Sequence, residues 1–277
     1  MTSNIYQLET TAGSFRVAVD GAEDAPALIL SNSLGTTLEM WEPQVEALSK
    51  KFRLIRYDTR GHGGSPITKG PYSFGQLAAD VLAILDALNI ETAAFCGVSM
   101  GGHTGLQLGI DAPERFDAII VCNSAAKIGT AEAWQERADS LRSKGSEAIK
   151  ELAASAPTRW FTEDFIQQNP EVVKGMQEQF ATLDAEGYAA CCDALGASDL
   201  RSTLNGIIAP TLLVAGKYDP VCTVEDAQSM HGLIKGSSVA VLEASHISNV
   251  EDAEAFSKVV SDFILDRSSV NIHFKSH

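Results

Sequence analysis

Short apolar, β-branched runs recur along this chain between helical patterns, and that alternation restricts the fold more than any other feature. Residues 27–30, 53–57, 93–98, 118–122, 211–215 and 239–242 read as buried strands, because they are apolar without the in–out alternation of a strand with one wet face. Residues 14–19 do alternate, and the reading pairs them with 5–9 as a hairpin. Between the runs, residues 74–88 place Leu77, Val81, Ile84, Leu85 and Leu88 on one helix face, and 251–265 give a similar pattern. Strands separated by helices predict a largely parallel sheet flanked by helices. From Ser124 to about Asn205 no strand signal appears. Trp134, Leu141, Trp160, Phe161, Phe165, Met176 and Phe180 recur there among polar residues, as in several amphipathic helices. This segment is expected to be a helical insertion lying over the carboxyl ends of the strands, where ligands of open α/β sheets bind. The expected division is a core of residues 1–123 and 206–267, a helical cap of 124–205, and a loosely held tail of 268–277.

Composition narrows the partners. The 277 residues are 45% hydrophobic and 21% charged, which excludes collagen, coiled coil and intrinsic disorder. The net charge of −15 argues against nucleic acid and against an anionic membrane surface. It leaves room for an anionic small molecule, which needs only one or two local cations. No apolar run is long enough to span a bilayer, and the N-terminal residues lack the pattern of a secretory signal. Five cysteines without a spaced framework fit a reducing cytoplasm, and no CxxC or His/Cys cluster suggests a structural zinc. Cys96 and Cys122 lie in apolar runs and read as buried small hydrophobes.

The strongest local signal is Gly97-Val98-Ser99-Met100-Gly101, placed between an apolar strand and a helical pattern. That is the context of a nucleophile elbow, in which a sharp turn projects a serine hydroxyl above the sheet. A serine needs a base. Among six histidines, His246 follows the last predicted strand and precedes an acid-rich helix, so it lies where a base reaches Ser99. His103 is expected to pack behind the elbow and His231 to lie on a helix surface. Asp219, in the turn after residues 211–215, is the candidate to orient the imidazole, and Ser99, Asp219, His246 follow in the chain order expected of such a site. No acid follows residues 118–122; Asn123 and Ser124 stand there instead. The oxyanion donors are expected to be the backbone N–H of Met100, just after the nucleophile, and that of Leu34, in the loop after an early strand.

These residues carry a resemblance. The chain resembles the α/β-hydrolase superfamily and, more narrowly, the 3-oxoadipate enol-lactonases. The resemblance spans about residues 10–266 and rests on Asn32-Ser33-Leu34-Gly35-Thr36, the Tyr57–Ser65 segment with Arg60-Gly61-His62-Gly63-Gly64, Cys96 to Gly102, Gly216 to Pro220, and Ser245 to Asn249. Many members carry His-Gly where this chain has Asn32-Ser33. His62 reads as part of a structural turn. The resemblance implies a mostly parallel eight-stranded sheet with helices on both faces and a helical cap insertion. It further implies hydrolysis of 3-oxoadipate enol-lactone in aromatic-acid catabolism, without metal or organic cofactor. Other cofactor-free hydrolases (carboxylesterase, carbon–carbon bond hydrolase, perhydrolase) and a non-catalytic receptor share the elbow and triad. The implied substrate is a small lactone carrying a carboxylate. Lys127, Arg137, Arg159 and the indole N–H of Trp134 are the cap groups offered to bind it, with Lys127 nearest a strand end.

Overall fold

The apolar runs become eight strands: β1 (Asn4–Thr10), β2 (Gly13–Asp20), β3 (Ala27–Ser31), β4 (Arg53–Tyr57), β5 (Ala93–Val98), β6 (Phe116–Cys122), β7 (Thr211–Gly216) and β8 (Ser238–Leu242). The structure is a computed structural model, and it describes residues 4–265. The tail expected at 268–277 lies outside the described residues. The strands form one sheet in the order β1-β2-β4-β3-β5-β6-β7-β8. β1 and β2 make the expected hairpin, closing with Thr10 opposite Gly13. β2 also runs antiparallel to β4, while the remaining pairs are parallel.

Side chains alternate across this sheet with a period of two and feed two cores. Leu28, Leu30, Leu54, Cys96 and Ile120 point to one face, where Val45 of α1 (Glu42–Leu48) and Phe256 and Val260 of the C-terminal helix pack. Ile29, Ile55, Phe95, Ile119 and Leu213 point to the other, against α2 (Phe74–Ala87) and α3 (Met100–Asp111). Burial on both faces explains why β5 is apolar at every position.

The chain between β6 and β7 holds six helices: α4 (Ala131–Lys144), α5 (Ser146–Ser155), α6 (Pro157–Trp160), α7 (Glu163–Gln168), α8 (Pro170–Phe180) and α9 (Ala185–Ala197). Their starts carry side-chain caps where the sequence allows. Thr130, Thr162 and Asp184 each accept a backbone N–H of the helix that follows. After β7, α10 (Val224–Leu233) opens with a capping box of Thr223 and Asp226. The helical pattern of 251–265 forms α12 (Ala253–Leu265), preceded by a short α11 (Ser248–Glu251), with Asp252 at φ −128°, ψ 61° between the two. Among the described residues no helix is long and apolar enough to cross a membrane.

Candidate active site

Ser99 sits where β5 turns into α3, at φ 57° and ψ −113°. A non-glycine residue in that region is strained and is held only by its surroundings. Here its N–H donates to the Cys122 carbonyl at 2.8 Å, and its carbonyl accepts from His103 N–H and from Ser124 Oγ. The flanking glycines have a steric reason. A Cβ on Gly97 would lie 2.2 Å from the Gly101 carbonyl oxygen, and one on Gly101 would lie 2.1 Å from that of Ser31. Any larger residue forces the turn open.

Asp219 and His246 follow β7 and β8, so both arrive at the same edge of the sheet as Ser99. Asp219 Oδ2 accepts from His246 Nδ1 at 2.8 Å, both side chains being almost wholly buried. Its other oxygen accepts the N–H groups of Val221 and Cys222, at 2.8 and 3.0 Å. Nδ1 is thereby committed as donor, which leaves Nε2 as the basic nitrogen. Ser99 Oγ and His246 face one cavity without a direct hydrogen bond among the described residues. Such contacts are commonly long in ligand-free sites and tighten around substrate.

In the sequence Asn123 marks only the absence of an acid after residues 118–122. In the fold it is a strut: Nδ2 donates to Asp219 Oδ2 at 3.1 Å and to the Ser245 carbonyl at 3.0 Å, while Oδ1 accepts from Ser248 Oγ. Its φ of 47° is the left-handed conformation that asparagine tolerates better than most residues. That preference, at a strand end beside the elbow, was the available signal.

The loop after β3 is equally held. Asn32 bridges the Tyr57 carbonyl and the Trp41 indole N–H, each at 2.8 Å. Gly35 N–H donates to His62 Nε2 at 3.0 Å. Burial pushes the His62 imidazole down to about 4, so at neutral pH it is uncharged and accepts that bond. The structural turn of the sequence reading therefore buttresses this loop from behind. The N–H groups of Leu34 and Met100 are matched to no acceptor among the described residues. Leu34 lines the cavity and Met100 begins α3, so both are available to an oxyanion beside Ser99.

The cavity holds about 220 Å³. Sheet loops supply its floor with Ser33, Leu34, Ser99 and His246, and the helical insertion supplies Trp134, Trp160, Phe180, Tyr188, Arg137 and Arg159. Trp160, Phe180 and Tyr188 form a ladder of stacked rings, with centroids 5.7 and 5.4 Å apart. Phe161 is not part of the cavity wall; it is buried against Phe165, with ring centroids 4.7 Å apart. Arg137 lies over the Trp134 ring at 4.9 Å, and Arg159 is tied to the Ser155 carbonyl and hydroxyl. Neither guanidinium is ion-paired among the described residues. Burial, and in smaller part the neighbouring Arg137 charge, hold Arg159 below the usual arginine range despite the opposing influence of Tyr188.

Two expected carboxylate binders do not serve as offered. Lys127 is not part of the cavity wall; its ammonium lies 3.9 Å from Asp199. The Trp134 indole N–H is spent on the Ile128 carbonyl at 2.6 Å, so the residue offers a ring face and no donor. His103 is buried behind the elbow between the Ala125 carbonyl and Ser198 Oγ, and His231 is exposed. All five cysteines are free and buried. Among the described residues no group of three His, Cys, Asp or Glu side chains stands together as a metal site.

The profile of the α/β hydrolase fold family matches residues 26–253. The chain is 51% identical to 3-oxoadipate enol-lactonase 2 of Acinetobacter baylyi, over 88% of this chain and 90% of that one. It is 45% identical to 3-oxoadipate enol-lactonase 1 of the same organism, over 90% and 92%. The crystal structure of the enol-lactonase from Burkholderia xenovorans LB400 superposes with a TM-score of 0.90 at 43% identity, covering 94% of this chain and 99% of that one. The chain belongs to the α/β-hydrolase family and, within it, to the group of the 3-oxoadipate enol-lactonases.

Proposed function

We propose that this protein hydrolyses 3-oxoadipate enol-lactone to 3-oxoadipate, a step of aromatic-acid breakdown, through an acyl-enzyme on Ser99. The observation that carries the substrate is the pair of arginines in the Ser99 cavity that have no acidic partner among the described residues, in a chain whose net charge is −15. A lactone bearing a free carboxylate supplies the missing anion. Arg137 and Arg159 hold that carboxylate, and the ladder of Trp160, Phe180 and Tyr188 takes the apolar ring. Residues 124–205 act as a cap that selects substrate, over a hydrolytic core of 1–123 and 206–267.

Ser99 Oγ attacks the lactone carbonyl carbon while His246 Nε2 takes its proton, and Asp219 stabilises the imidazolium through Nδ1. Leu34 and Met100 N–H groups receive the negative charge on the carbonyl oxygen. Collapse of the tetrahedral intermediate breaks the ring C–O bond. The leaving oxygen departs as an enol, taking the proton from His246, and ketonises. That step makes ring opening favourable. His246 then deprotonates a water that attacks the acyl carbon; as this second intermediate collapses, Ser99 Oγ leaves with the proton from His246, and the product acid loses its proton to solvent as a second carboxylate. Five free thiols fit a reducing compartment, and we place the enzyme in the cytoplasm.

Turnover of the enol-lactone beside a panel of simple alkyl esters tests the reading. A kcat/KM for the lactone well above every ester supports it. Equal or better turnover of the esters overturns it in favour of a general carboxylesterase.

A further inference from the structure

The loop that carries His246 is fastened on both sides of the histidine. Ser245 N–H donates to Glu251 Oε2 at 2.8 Å, and Ile247 N–H donates to the Trp160 carbonyl at 3.0 Å. The other oxygen of Glu251 accepts the Thr162 backbone N–H at 3.1 Å and the Thr162 hydroxyl as well. Thr162 in turn caps α7, its Oγ1 accepting from Phe165 N–H. One carboxylate therefore joins the histidine loop to the junction of α6 and α7, beside Arg159 and Trp160 of the cavity wall. Glu251 is the last residue of α11, just before the break at Asp252 that separates it from α12.

We infer that Glu251 is a positioning residue that makes the alignment of His246 depend on how residues 159–162 of the insertion are seated. The inference rests on His246 being the base for Ser99. Glu251 is not part of the cavity wall, so it acts through the loop. A substrate held by Arg159 and Trp160 steadies the α6–α7 junction. The two ties then hold the imidazole in line with Ser99, and binding energy spent in the insertion is expressed as base alignment. Small misplacements of a catalytic group are costly: about 1 Å can lower the rate about 10²-fold.

Two substitutions test this, Glu251→Gln and Thr162→Val. Glutamine keeps an acceptor for Thr162 but turns an amide N–H₂ toward Ser245 N–H, donor against donor. The expected result for Glu251→Gln is a kcat lower by about 10- to 150-fold with KM within about twofold, the range of a lost hydrogen bond to a charged group. Covalent labelling of Ser99 by a fluorophosphonate slows by a similar factor, in protein whose Tm stays near that of the parent. Thr162→Val, which loses only the hydroxyl tie, lowers kcat by a smaller factor in the same direction. An unchanged kcat in folded Glu251→Gln, or a loss confined to KM, overturns the inference. If Glu251→Gln does not fold, an unchanged kcat in Thr162→Val overturns it. Failure of the parent enzyme to be labelled at Ser99, or undiminished labelling in a His246→Ala control, would instead remove the triad assignment and the inference with it.

Discussion

On the sheet side of the cavity, the groups behind the reacting atoms are matched to partners. Asp219 accepts from His246, Asn123, Val221 and Cys222, and the loop of Leu34 is fixed through Asn32 and His62. On the insertion side, Arg137 and Arg159 face the same cavity, and among the described residues no carboxylate pairs with them. A satisfied, buried network fixes geometry, which proton transfer requires. A pair of cations without a counter-ion leaves charge-pairing energy for a ligand. Under the proposed function the two sides divide the work between bond making and substrate choice, and that division can be attacked from either side.

The largest effect is expected at the nucleophile. Ser99→Ala and His246→Ala should each lower kcat by about 10³-fold or more, for charged and neutral esters alike, because the two act as a unit. Steady-state kinetics on folded protein checks this, and near-full activity in either variant breaks the sheet half of the comparison. Asp219→Asn should cost somewhat less, about 10²- to 10³-fold, since it disturbs the tautomer and charge of His246 without removing the base. Trp160→Leu removes one ring of the ladder and should lower kcat/KM for the lactone by about 2- to 13-fold, the value of one aromatic pair. The loss should fall mainly in KM, with a smaller part in kcat passed through the ties from residues 160–162 to the His246 loop. A loss confined to kcat would move Trp160 to the bond-making side.

The smallest effect concerns the seam between the two regions. Burial depresses His103 to about 4, below its ordinary value of 6.5, and its ring joins Ala125 and Ser198 across that seam. The unfolded chain protonates this imidazole below pH 6.5, whereas the folded chain resists until about 4. Stability is therefore full at neutral pH and is lost as pH falls through that window, by about 1.4 kcal/mol per pH unit for one group. Denaturant melts between pH 6.5 and 4.5 should show a gentler slope for His103→Gln than for the parent. An identical slope would show that His103 is not among the groups responsible.

The sheet is legible in the sequence because each strand is a short apolar run with its own punctuation. Ser99, Asp219 and His246 are legible because each lies a few residues beyond such a run, and parallel strands bring those ends together. The insertion yields only its helical period. Nothing local separates Lys127, which leaves the cavity wall, from Arg137 and Arg159, which line it, because that depends on how six helices pack. Trp134 shows the same limit at shorter range: its indole N–H is consumed six residues away by Ile128, a contact that helical periodicity does not report. Glu251 reads as one more acid in a helix until the fold turns it toward Ser245 and Thr162.

The division of labour is tested most directly by one pair of substrates, the enol-lactone and its methyl ester, which share the ring and differ by one charge. The parent enzyme should prefer the acid in kcat/KM by about 10- to 150-fold, the value of a buried charged hydrogen bond of about 1.5–3 kcal/mol. In Arg137→Met/Arg159→Met that preference should vanish while turnover of the ester stays within about twofold of the parent. Equal turnover of acid and ester by the parent, or a loss in the double variant that falls on both substrates alike, would contradict the account.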